Sequence, residues 1–366
     1  MRIGINTLAI DPRRPGGDAT YVRELATHLS AMDSADEYVL FVAPWNRALF
    51  PPPGARVQHV LCHVPPGSLV LRAVWEQTVL PRVIRAARVD ILHAPVNVSP
   101  LRVTVPSVLT LLEAEPFMPQ SLMPVPLRLY WRVLRSASAR KAARLLAISE
   151  SSKDELVRYM RLPAKKISAI HLGIDTDRFR PDPDQQREPY ILWVGRSYPR
   201  KNLLRLADAY ARLPVHLRQQ YPLVLLGGRG WADAGLKEHV RMLGLSDHVR
   251  FVGRETDAEL PRWYQRARLF VFPSLHEAFG LPVLEALACG TPVLAGDIPA
   301  LREVAGDAAS FANPYSVESL ADAILRHLDD PSTLSVAAAA GPARARQFTW
   351  RRAAEETSVA YCLAAR

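Results

Sequence analysis

The chain has 366 residues, of which 49% are hydrophobic and 22% are charged, and its formal net charge is +10. This length suits two domains of ordinary size, and no apolar run approaches the ~18 residues that a membrane-spanning helix needs. The excess of Lys and Arg favours anionic partners. No RNA- or DNA-binding motif is present, and the aromatic residues do not alternate with basic ones as stacking platforms would. The sequence therefore argues against nucleic acid as a partner.

The first residues and the cysteines bear on the compartment. Residues 1–10 read as a buried β-strand and no charged-then-apolar leader precedes them, so we expect a cytoplasmic protein. Cys62, Cys289 and Cys362 are odd in number and widely spaced, with neither metal-ligand spacing nor a redox C-x-x-C motif. We interpret them as packing residues.

The first half of the chain, up to about Ile174, alternates apolar runs with helical periodicity, which predicts parallel βαβ units. Helices are predicted over Ala19–Met32, with Asp18 as the N-cap, and over Leu71–Ala87. The strand candidates are Ile3–Asn6, Tyr38–Val42, Val57–Leu61, Asp90–His93, Val105–Leu111 and Leu145–Ile148.

A glycine-containing loop, residues 15–18, separates the first strand from the first helix. An open α/β sheet presents its ligands at such a place, and Gly16 and Gly17 would allow a close approach of the backbone. The loop lacks the G-x-G-x-x-G spacing of dinucleotide sites, and an ordinary glycine turn is the alternative.

Residues 176–189 are polar, proline-rich and without periodicity, which predicts a linker between two domains. A second alternation of strands and helices follows, and the tail from Trp350 to Ala365 is predicted to be helical. The strand candidates of this half are Tyr190–Val194, Leu223–Leu226, Arg250–Val252, Leu269–Phe272 and Pro292–Ala295.

The most informative stretch covers residues 268–294. It reads as a strand, a loop and a helix that opens at Gly280-Leu281-Pro282, with the proline as first helical residue, and closes at Cys289-Gly290. Unpaired amides and the positive end of a helix dipole would then meet at a sheet edge, which suits an anion. Glu277 in the loop and Glu285 in the helix could accept hydrogen bonds from hydroxyl groups. Phosphate and hydroxyls together suggest a nucleotide sugar.

Three other interpretations of these acids are weaker. His276-Glu277 begins like a zinc-binding H-E-x-x-H, but Gly280 occupies the position of the second histidine. A glycosidase acid pair is disfavoured because Glu277 precedes the helix whereas Glu285 lies within it. The remaining alternative is a surface loop with two solvated acids.

The E-x7-E spacing of these acids resembles the donor-site signature of family 4 of the retaining GT-B glycosyltransferases, as do the intervening F-G-L-P and the E-A-L-A-C-G-T-P-V that begins at Glu285. The resemblance implies an α/β GT-B fold with two Rossmann-like domains facing across a cleft. Residues 1–175 would form the acceptor-side domain, with a helix at about 350–366 packing back on it. Residues 190–349 would bind the nucleotide sugar.

The resemblance also assigns residues to the donor site. Arg196 and Lys201 fall in a segment similar to the family's G-R-x-x-x-x-K-N, which implies a diphosphate clamp, whereas Arg200 does not inherit this role. Solvated surface cations are the alternative. The further donor-binding residues that the resemblance implies are Gly16, Gly17, Gly195, Gly228, Val252, Gly253, Phe279, Gly280, Leu281 and Glu285.

This resemblance implies retaining transfer of a hexosyl group, mannosyl or glucosyl, from a GDP- or UDP-type nucleotide sugar to a carbohydrate, lipid-linked or small-molecule acceptor. Arg196, Lys201 and the amides at the start of the helix would stabilise the departing diphosphate. Glu277, the third candidate catalytic residue, would orient hydroxyls of the donor sugar, and Glu285 would bind the ribose.

No cofactor and no metal ion is expected. Asp175-Thr176-Asp177 imitates a D-x-D metal motif, but it falls where the family carries G-I-D-x-x-x-F-x-P, here residues 173–181, and we interpret it as structural.

One segment departs from the family pattern. Many relatives carry T-x-H-D where this chain has Thr110-Leu111-Leu112-Glu113, so Leu112 replaces a histidine that faces the donor sugar. Glu113 and His93 are candidates for the acceptor and sugar side, although a hydrogen-bonded core histidine is the simpler interpretation of His93. The departure allows either an unusual donor or weak activity, and it motivates the alternative of a weakly active sugar-nucleotide binding subunit. A nucleotide-sugar epimerase or hydrolase on the same fold is a separate alternative.

Residues 121–144 combine apolar and aromatic side chains with six basic residues. Such a helix could lie on the anionic inner face of a membrane, where a lipid-linked acceptor would wait. The alternative is that one face packs on its own sheet and the arginines are solvated.

Overall fold

The computed structural model describes residues 1–13, 16–65, 67–121, 123–227, 233–329 and 339–366. Residue contacts divide the chain into two compact units: Met1–Gly173 together with Trp350–Arg366, and Ile174–Thr349. Each unit is built on one sheet in which every pairing of neighbouring strands is parallel. The prediction of two Rossmann-like α/β units is confirmed.

The sheet of the first unit has the order β3-β2-β1-β4-β5-β6-β7. Its strands read as nearly continuous apolar runs because a parallel sheet is covered on both faces. They are β1 (Arg2–Asn6), β2 (Glu37–Val42), β3 (Val57–Leu61), β4 (Ile91–Ala94), β5 (Ser107–Leu111), β6 (Arg144–Ala147) and β7 (Ile167–Ala169).

The helices of the first unit connect these strands, and the last of them comes from the far end of the chain. They are α1 (Gly17–Ala31), α2 (Leu69–Thr78), α3 (Leu80–Ala86), α4 (Val125–Lys141), α5 (Glu150–Met160) and the C-terminal helix (Trp350–Ala364). The C-terminal helix packs against α1, with the rings of Tyr21 and Trp350 6.5 Å apart.

The sheet of the second unit has the order β10-β9-β8-β11-β12-β13. Its strands are β8 (Glu188–Val194), β9 (Leu223–Leu226), β10 (Val249–Val252), β11 (Ala267–Phe272), β12 (Val293–Gly296) and β13 (Ser310–Ala312). The helices between them are α6 (Leu203–Ala211), α7 (Val215–Gln220), α8 (Asp233–Met242), α9 (Leu260–Arg266), α10 (Leu281–Ala288), α11 (Pro299–Ala305) and α12 (Val317–Asp329).

The first helices differ from the prediction. The single helix expected over residues 71–87 is two helices that meet at Val79, because Pro81 has no N–H for a continuous helix and fits instead near the start of α3. Asp18 is not an N-cap: α1 begins at Gly17, Gly16 caps it, and the carboxylate of Asp18 accepts a hydrogen bond from the amide of Ala19 at 2.9 Å.

The edge strands β7 and β13 were not predicted, because three residues are too few to show a period. The proposed linker also needs correction. Residues 176–189 belong to the second unit, where Phe179 is buried and β8 already begins at Glu188. The Arg187 guanidinium donates hydrogen bonds to the carbonyls of Ala267 at 2.9 Å and Gly290 at 2.5 Å, which holds this segment against β11 and the end of α10.

Within the part of the chain that the structure describes, none of the helices has the length and apolar character needed to cross a membrane.

Candidate active site

The site is assembled from loops that follow the carboxyl ends of β8, β9 and β11. Two of these loops meet backbone to backbone. The amide of Gly195 donates to the carbonyl of Leu226 at 3.0 Å, and a β-carbon on Gly227 would collide with the carbonyl oxygen of Gly195. Gly195 and Gly227 have φ angles of 155° and 159°. The two loops therefore approach this closely because residue 227 has no side chain.

The loop after β8 carries the three basic residues of the site. The guanidinium of Arg196 is half-buried and donates a long hydrogen bond, 3.4 Å, to the hydroxyl of Tyr198. Arg200 and Lys201 lie in a single 3₁₀ turn, Pro199–Lys201, that leads into α6. The turn ends at Asn202, which has a left-handed backbone conformation with a φ of 64°.

Asn202 ties this turn to two other loops. Its side-chain amide donates to the carbonyl of Pro273 at 3.0 Å, in the loop after β11, and to that of Pro314 at 2.6 Å, after β13. The sequence predicts no role for Asn202, although it is the last residue of the segment that resembles G-R-x-x-x-x-K-N. An asparagine tolerates a left-handed backbone better than most residues, so the residue type is a sequence signal for a turn at this position.

The loop after β11 leads into α10 as predicted. Gly280 caps the helix with a φ of 112°, and a β-carbon there would lie 2.5 Å from Leu301. Pro282 is the second helical residue, one later than expected, and the chain leaves the helix at Gly290 with a φ of 70°. The amides of Gly280 and Leu281 make no backbone hydrogen bond within the described part of the chain. Unpaired amides at the start of a helix have the arrangement that an anion requires.

Glu277 and the basic turn form a buried ion-pair cluster. Lys201 Nζ donates to Glu277 Oε1 at 2.6 Å and Arg200 Nη1 donates to Oε2 at 3.2 Å, while Lys201 also lies 4.6 Å from the centre of the Phe272 ring. Burial alone would raise the pKa of Glu277, but the charges of Lys201 and Arg200 outweigh it and lower the pKa to about 2. The carboxylate is therefore ionised at neutral pH.

Arg200 is not predicted to belong to the diphosphate clamp, yet it pairs with the same carboxylate as Lys201. Together with Arg196, the loop after β8 supplies three cations against the single carboxylate of Glu277. The local balance of charge is positive, which suits a dianionic diphosphate.

Glu285 has a different partner. Its Oε2 accepts a hydrogen bond at 2.8 Å from the hydroxyl of Tyr264 on α9, a residue that the sequence analysis missed. Burial raises the pKa of Glu285 to about 7, and the hydrogen bond from Tyr264 and the charge of Arg178 oppose this shift only in part. Glu285 is thus poised between its two protonation states near neutral pH.

The remaining donor-side candidates fall into groups. Gly16 and Gly17 form the start of α1 in the first unit, and Leu281 is half-buried at the start of α10. Val252 ends β10, and its carbonyl accepts a hydrogen bond from the amide of Gly227 at 3.3 Å. Gly253 follows, and a β-carbon added there would meet nothing within 4 Å. Gly228 lies outside the described residues.

The prediction that Phe279 binds the donor needs correction where its side chain is concerned. Its ring is buried and packs edge-on against Phe348 at 5.9 Å, so the side chain belongs to the core of the second unit.

His93 also needs correction, because it is a core residue of the first unit. Its ring is fully buried, with Nδ1 2.8 Å from the Tyr361 hydroxyl and Nε2 2.9 Å from Thr110 Oγ1. Burial lowers the pKa of His93 to about 3, so the ring is neutral. With both nitrogens engaged and no exposed surface, it cannot contact a sugar.

At the end of β5, Glu113 and Leu112 are half-buried. The amide of Leu112 donates to Asn97 Oδ1 at 2.9 Å, and the carbonyl of Glu113 accepts from Arg135 at 3.0 Å.

The D-x-D imitation is a turn. The carboxylate of Asp175 accepts hydrogen bonds from the amides of Asp177 and Arg178 at 3.1 and 3.2 Å. Over the described ranges, no group of three or more His, Cys, Asp or Glu side chains is arranged to hold a metal ion.

The comparisons with known proteins agree with this architecture. A model of the group 1 glycosyl transferases matches residues 175–344, and a model of glycosyltransferase family 4 matches residues 15–178. The O-antigen chain mannosyltransferase B of Escherichia coli is 38% identical over 229 residues, 60% of each chain. The O-antigen chain mannosyltransferase RfbU of Salmonella typhimurium is 30% identical over 208 residues, 57% of each chain. The alignments thus span less than two thirds of either relative.

Among solved structures, sucrose-phosphate synthase from Thermosynechococcus elongatus superposes with a TM-score of 0.79 at 22% identity, over 99% of this chain and 98% of that one. At this identity the likeness shows a shared fold of two Rossmann-like units, that of the GT-B glycosyltransferases. The two family models follow each other along nearly the whole chain, and the protein belongs to the family 4, group 1 glycosyltransferases.

Proposed function

We propose that the protein is a retaining hexosyltransferase that uses a nucleotide-diphosphate sugar of the GDP or UDP type. The observation that carries the proposal is the ion-pair cluster of Arg200, Lys201 and Glu277 beside Arg196 in the second unit. Two relatives that share 38% and 30% identity are named mannosyltransferases, which favours a mannosyl group. The acceptor would be a carbohydrate or a lipid-linked sugar bound by the first unit.

The cluster can do two things in this reaction. When the bond between the anomeric carbon and the diphosphate oxygen breaks, the electron pair remains on the diphosphate, and fixed positive groups lower the barrier by stabilising it. Arg196, Lys201 and the amides of Gly280 and Leu281 would supply that stabilisation. The ionised carboxylate of Glu277 would accept hydrogen bonds from sugar hydroxyls, and Glu285 would bind the ribose.

A panel of UDP-, GDP-, ADP- and TDP-sugars in a thermal-shift experiment tests the donor site. One nucleotide should raise the melting temperature selectively, because a ligand that binds only the folded protein stabilises it. The double variant Arg196→Ala/Lys201→Ala should lose both this shift and transfer activity, whereas Arg351→Ala/Arg352→Ala, on the exposed face of the C-terminal helix, should lose neither. Full turnover by the first double variant would contradict the proposal.

We also propose that the transfer needs no metal ion. Cationic side chains and helix amides would neutralise the diphosphate, so activity should survive dialysis against EDTA. Loss of activity that only a divalent cation restores would contradict this.

A second candidate is a sugar-nucleotide binding subunit with weak activity, which the apolar Leu112 favours. The discriminating measurement is transfer by the isolated protein: ordinary turnover that Glu277→Ala abolishes eliminates this candidate, and donor binding without turnover supports it.

We propose peripheral contact with an anionic membrane through α2 and α4. Val125, Leu129 and Val133 are spaced by four residues and are 76%, 61% and 64% exposed, so they form one apolar stripe along α4. Val70, Leu71 and Val74 are likewise exposed on α2, and Arg132 is exposed beside the stripe. An apolar stripe flanked by a cation is typical of helices that lie in a membrane interface.

Vesicle sedimentation tests this contact. The protein should sediment with phosphatidylglycerol vesicles at low salt and less at high salt, and Leu129→Glu/Val133→Glu should stay in solution. Val359→Glu, at an exposed valine of the C-terminal helix, is the matched control. Equal sedimentation of all variants would contradict the contact.

A further inference from the structure

The first unit contains a cavity of about 200 Å³ that none of the donor-site residues lines. Its walls are α2 and α4, and its floor is formed by the residues that follow β1 and β4. The side chains that matter are Arg72 and Glu76 from α2, Tyr130, Trp131 and Arg135 from α4, and Asn97 after β4. The volume exceeds the ~30 Å³ of a single water several times over.

Three buried polar atoms of this wall have no hydrogen-bond partner in the described chain: Glu76 Oε1, the Tyr130 hydroxyl and Arg135 Nε. Leaving such a group unsatisfied costs free energy, and buried polar groups in native proteins are nearly always paired. All three belong to residues that line the same cavity, so one ligand could satisfy them together.

Glu76 is the acidic member of these three cavity residues. Its side chain is only about 9% exposed. Its Oε1 forms an ion pair with Arg72 Nε at 3.3 Å but has no hydrogen-bond partner, and its Oε2 accepts a long hydrogen bond, 3.4 Å, from Asn6. Burial raises the pKa of Glu76, against the opposing charge of Arg72. Because Glu76 Oε1 lacks a hydrogen bond, it is available to a hydroxyl group of a ligand.

The aromatic part of the wall is held by contacts between its side chains. The rings of Tyr130 and Trp131 are in edge-to-face contact at 5.0 Å, and the guanidinium of Arg135 lies 5.2 Å from the centre of the Trp131 ring. Arg135 is itself buried and anchored by its bond to the carbonyl of Glu113. Both rings therefore offer an apolar surface beside fixed polar atoms, as ligand pockets commonly do.

The charged side chains around the cavity favour a neutral ligand. An anion would face Glu76, and Asp18 also lines the cavity, whereas a cation would face Arg72 and Arg135. A hydroxyl group both donates and accepts, so it can donate to Glu76 Oε1 and accept from Tyr130 or Arg135. A neutral ring with several hydroxyls matches all three unsatisfied atoms.

We infer that this cavity binds one neutral, hydroxyl-rich sugar ring of the acceptor, with Glu76, Tyr130 and Arg135 as its hydrogen-bonding residues. That the bound sugar belongs to the acceptor rests on the proposed function, whereas the sugar site itself rests on the cavity. Glu76 is a binding residue in this assignment and takes no part in bond breaking.

Saturation-transfer NMR on the full chain without nucleotide tests the inference directly. The observed ligands are methyl α-D-mannopyranoside and methyl α-D-glucopyranoside, and inorganic phosphate is added as a competitor. At least one glycoside should bind, and phosphate should not displace it. Glu76→Gln keeps the shape of the side chain and Tyr130→Phe removes one hydroxyl, and each should weaken glycoside binding at least about fivefold, because a lost hydrogen bond of this kind costs roughly 1 kcal/mol or more. Glu150→Gln, at an exposed glutamate of α5, is the control and should bind as the wild type does.

The same samples should be tested for nucleotide-sugar binding by thermal shift, which the two cavity variants should retain. Glycoside binding that is equal in wild type, Glu76→Gln and Tyr130→Phe overturns the inference, and so does the absence of glycoside binding in a wild type that still binds donor. Competition by phosphate overturns it as well. If no nucleotide sugar binds but Glu76→Gln loses the glycoside, the proposed function fails and the sugar site stands.

Discussion

Glu277 and Glu285 lie on either side of the start of α10, eight positions apart, and their environments shift their pKa values in opposite directions. Two cations hold the pKa of Glu277 at about 2, whereas burial with one tyrosine hydroxyl raises the pKa of Glu285 to about 7. A permanently ionised carboxylate and a proton-exchanging one can bind different hydroxyl groups of one ligand. The contrast arises from the residues that surround each acid.

The pH dependence of stability should show the raised pKa of Glu285. Its folded value of about 7 lies above its ordinary value of 4.5, so the folded state holds the proton more tightly. The contribution of Glu285 to the free energy of unfolding is therefore fully present below pH 4.5 and is lost as the pH rises through 7. The loss amounts to about 3 kcal/mol in all. Urea unfolding between pH 4.5 and 7.5 should show a smaller decline for Glu285→Gln than for the wild type. Parallel curves would contradict this.

The ion pair of Lys201 and Glu277 should be strongly coupled. Lys201→Met removes the shorter of the two ion pairs of a buried carboxylate, and should lower the free energy of unfolding by about 3 kcal/mol. The double variant Lys201→Met/Glu277→Gln should lose much less than the sum of the single variants in a double-mutant cycle.

The exposed pair of Arg351 and Glu355, 2.9 Å apart, provides the control, and its coupling should be near zero. Equal coupling energies for the two pairs would show that the buried cluster has no special stability.

At the scale of elements, the donor side is a set of strand ends held by backbone contacts. The loops after β8 and β9 touch through Gly195 and Gly227, and Asn202 bridges the loops after β8, β11 and β13. Such contacts fix the positions of Arg196, Arg200 and Lys201 because the backbone that carries them cannot shift independently.

Gly227→Ala tests this arrangement. The added β-carbon would strike the carbonyl of Gly195, which is backbone and cannot rotate away, so we expect a loss of at least about 2 kcal/mol and impaired nucleotide binding. Gly235→Ala is the control, since its β-carbon meets nothing within 4 Å and alanine favours the helix α8. Calorimetric melting of both variants provides the measurement, and similar melting temperatures would refute the role of Gly227.

For the whole molecule, the first unit is completed by the last segment of the chain. The C-terminal helix buries Trp350, Ala354 and Tyr361, and the Tyr361 hydroxyl is 2.8 Å from Nδ1 of His93 in the core. The first unit is therefore assembled from both ends of the sequence, while Ile174–Thr349 forms the second.

A chain that ends at Thr349 should lose the cooperative unfolding of the first unit and keep that of the second, because only the first unit loses core residues. Calorimetry together with hydrogen exchange resolved along the sequence would measure both. Tyr361→Phe, which only leaves His93 Nδ1 without its partner, should cost about 1–3 kcal/mol and preserve the fold. An intact first unit in the truncated chain would contradict the expectation.

The sequence by itself determined the features that depend on neighbouring residues. The alternation of strands and helices, the strand–loop–helix of residues 268–294 and its cap at Gly280 follow from local periodicity and from the backbone preferences of glycine and proline. Strands of three residues and the break at Val79 were missed, because short segments carry little periodic signal and a proline in a helical pattern has more than one outcome.

Only the tertiary structure decided which side chains meet. Arg200 reaches Glu277 across 77 positions of the chain, Tyr264 reaches Glu285, and His93 is enclosed by Thr110 and Tyr361. The same holds for the cavity between α2 and α4 and for the packing of residues 176–189. These partnerships depend on which loops arrive at the same sheet edge, and on which side chains the packed helices cover. The spacing of residues in the sequence shows neither which loops meet nor which side chains are covered, because contacts between residues far apart in the chain decide both.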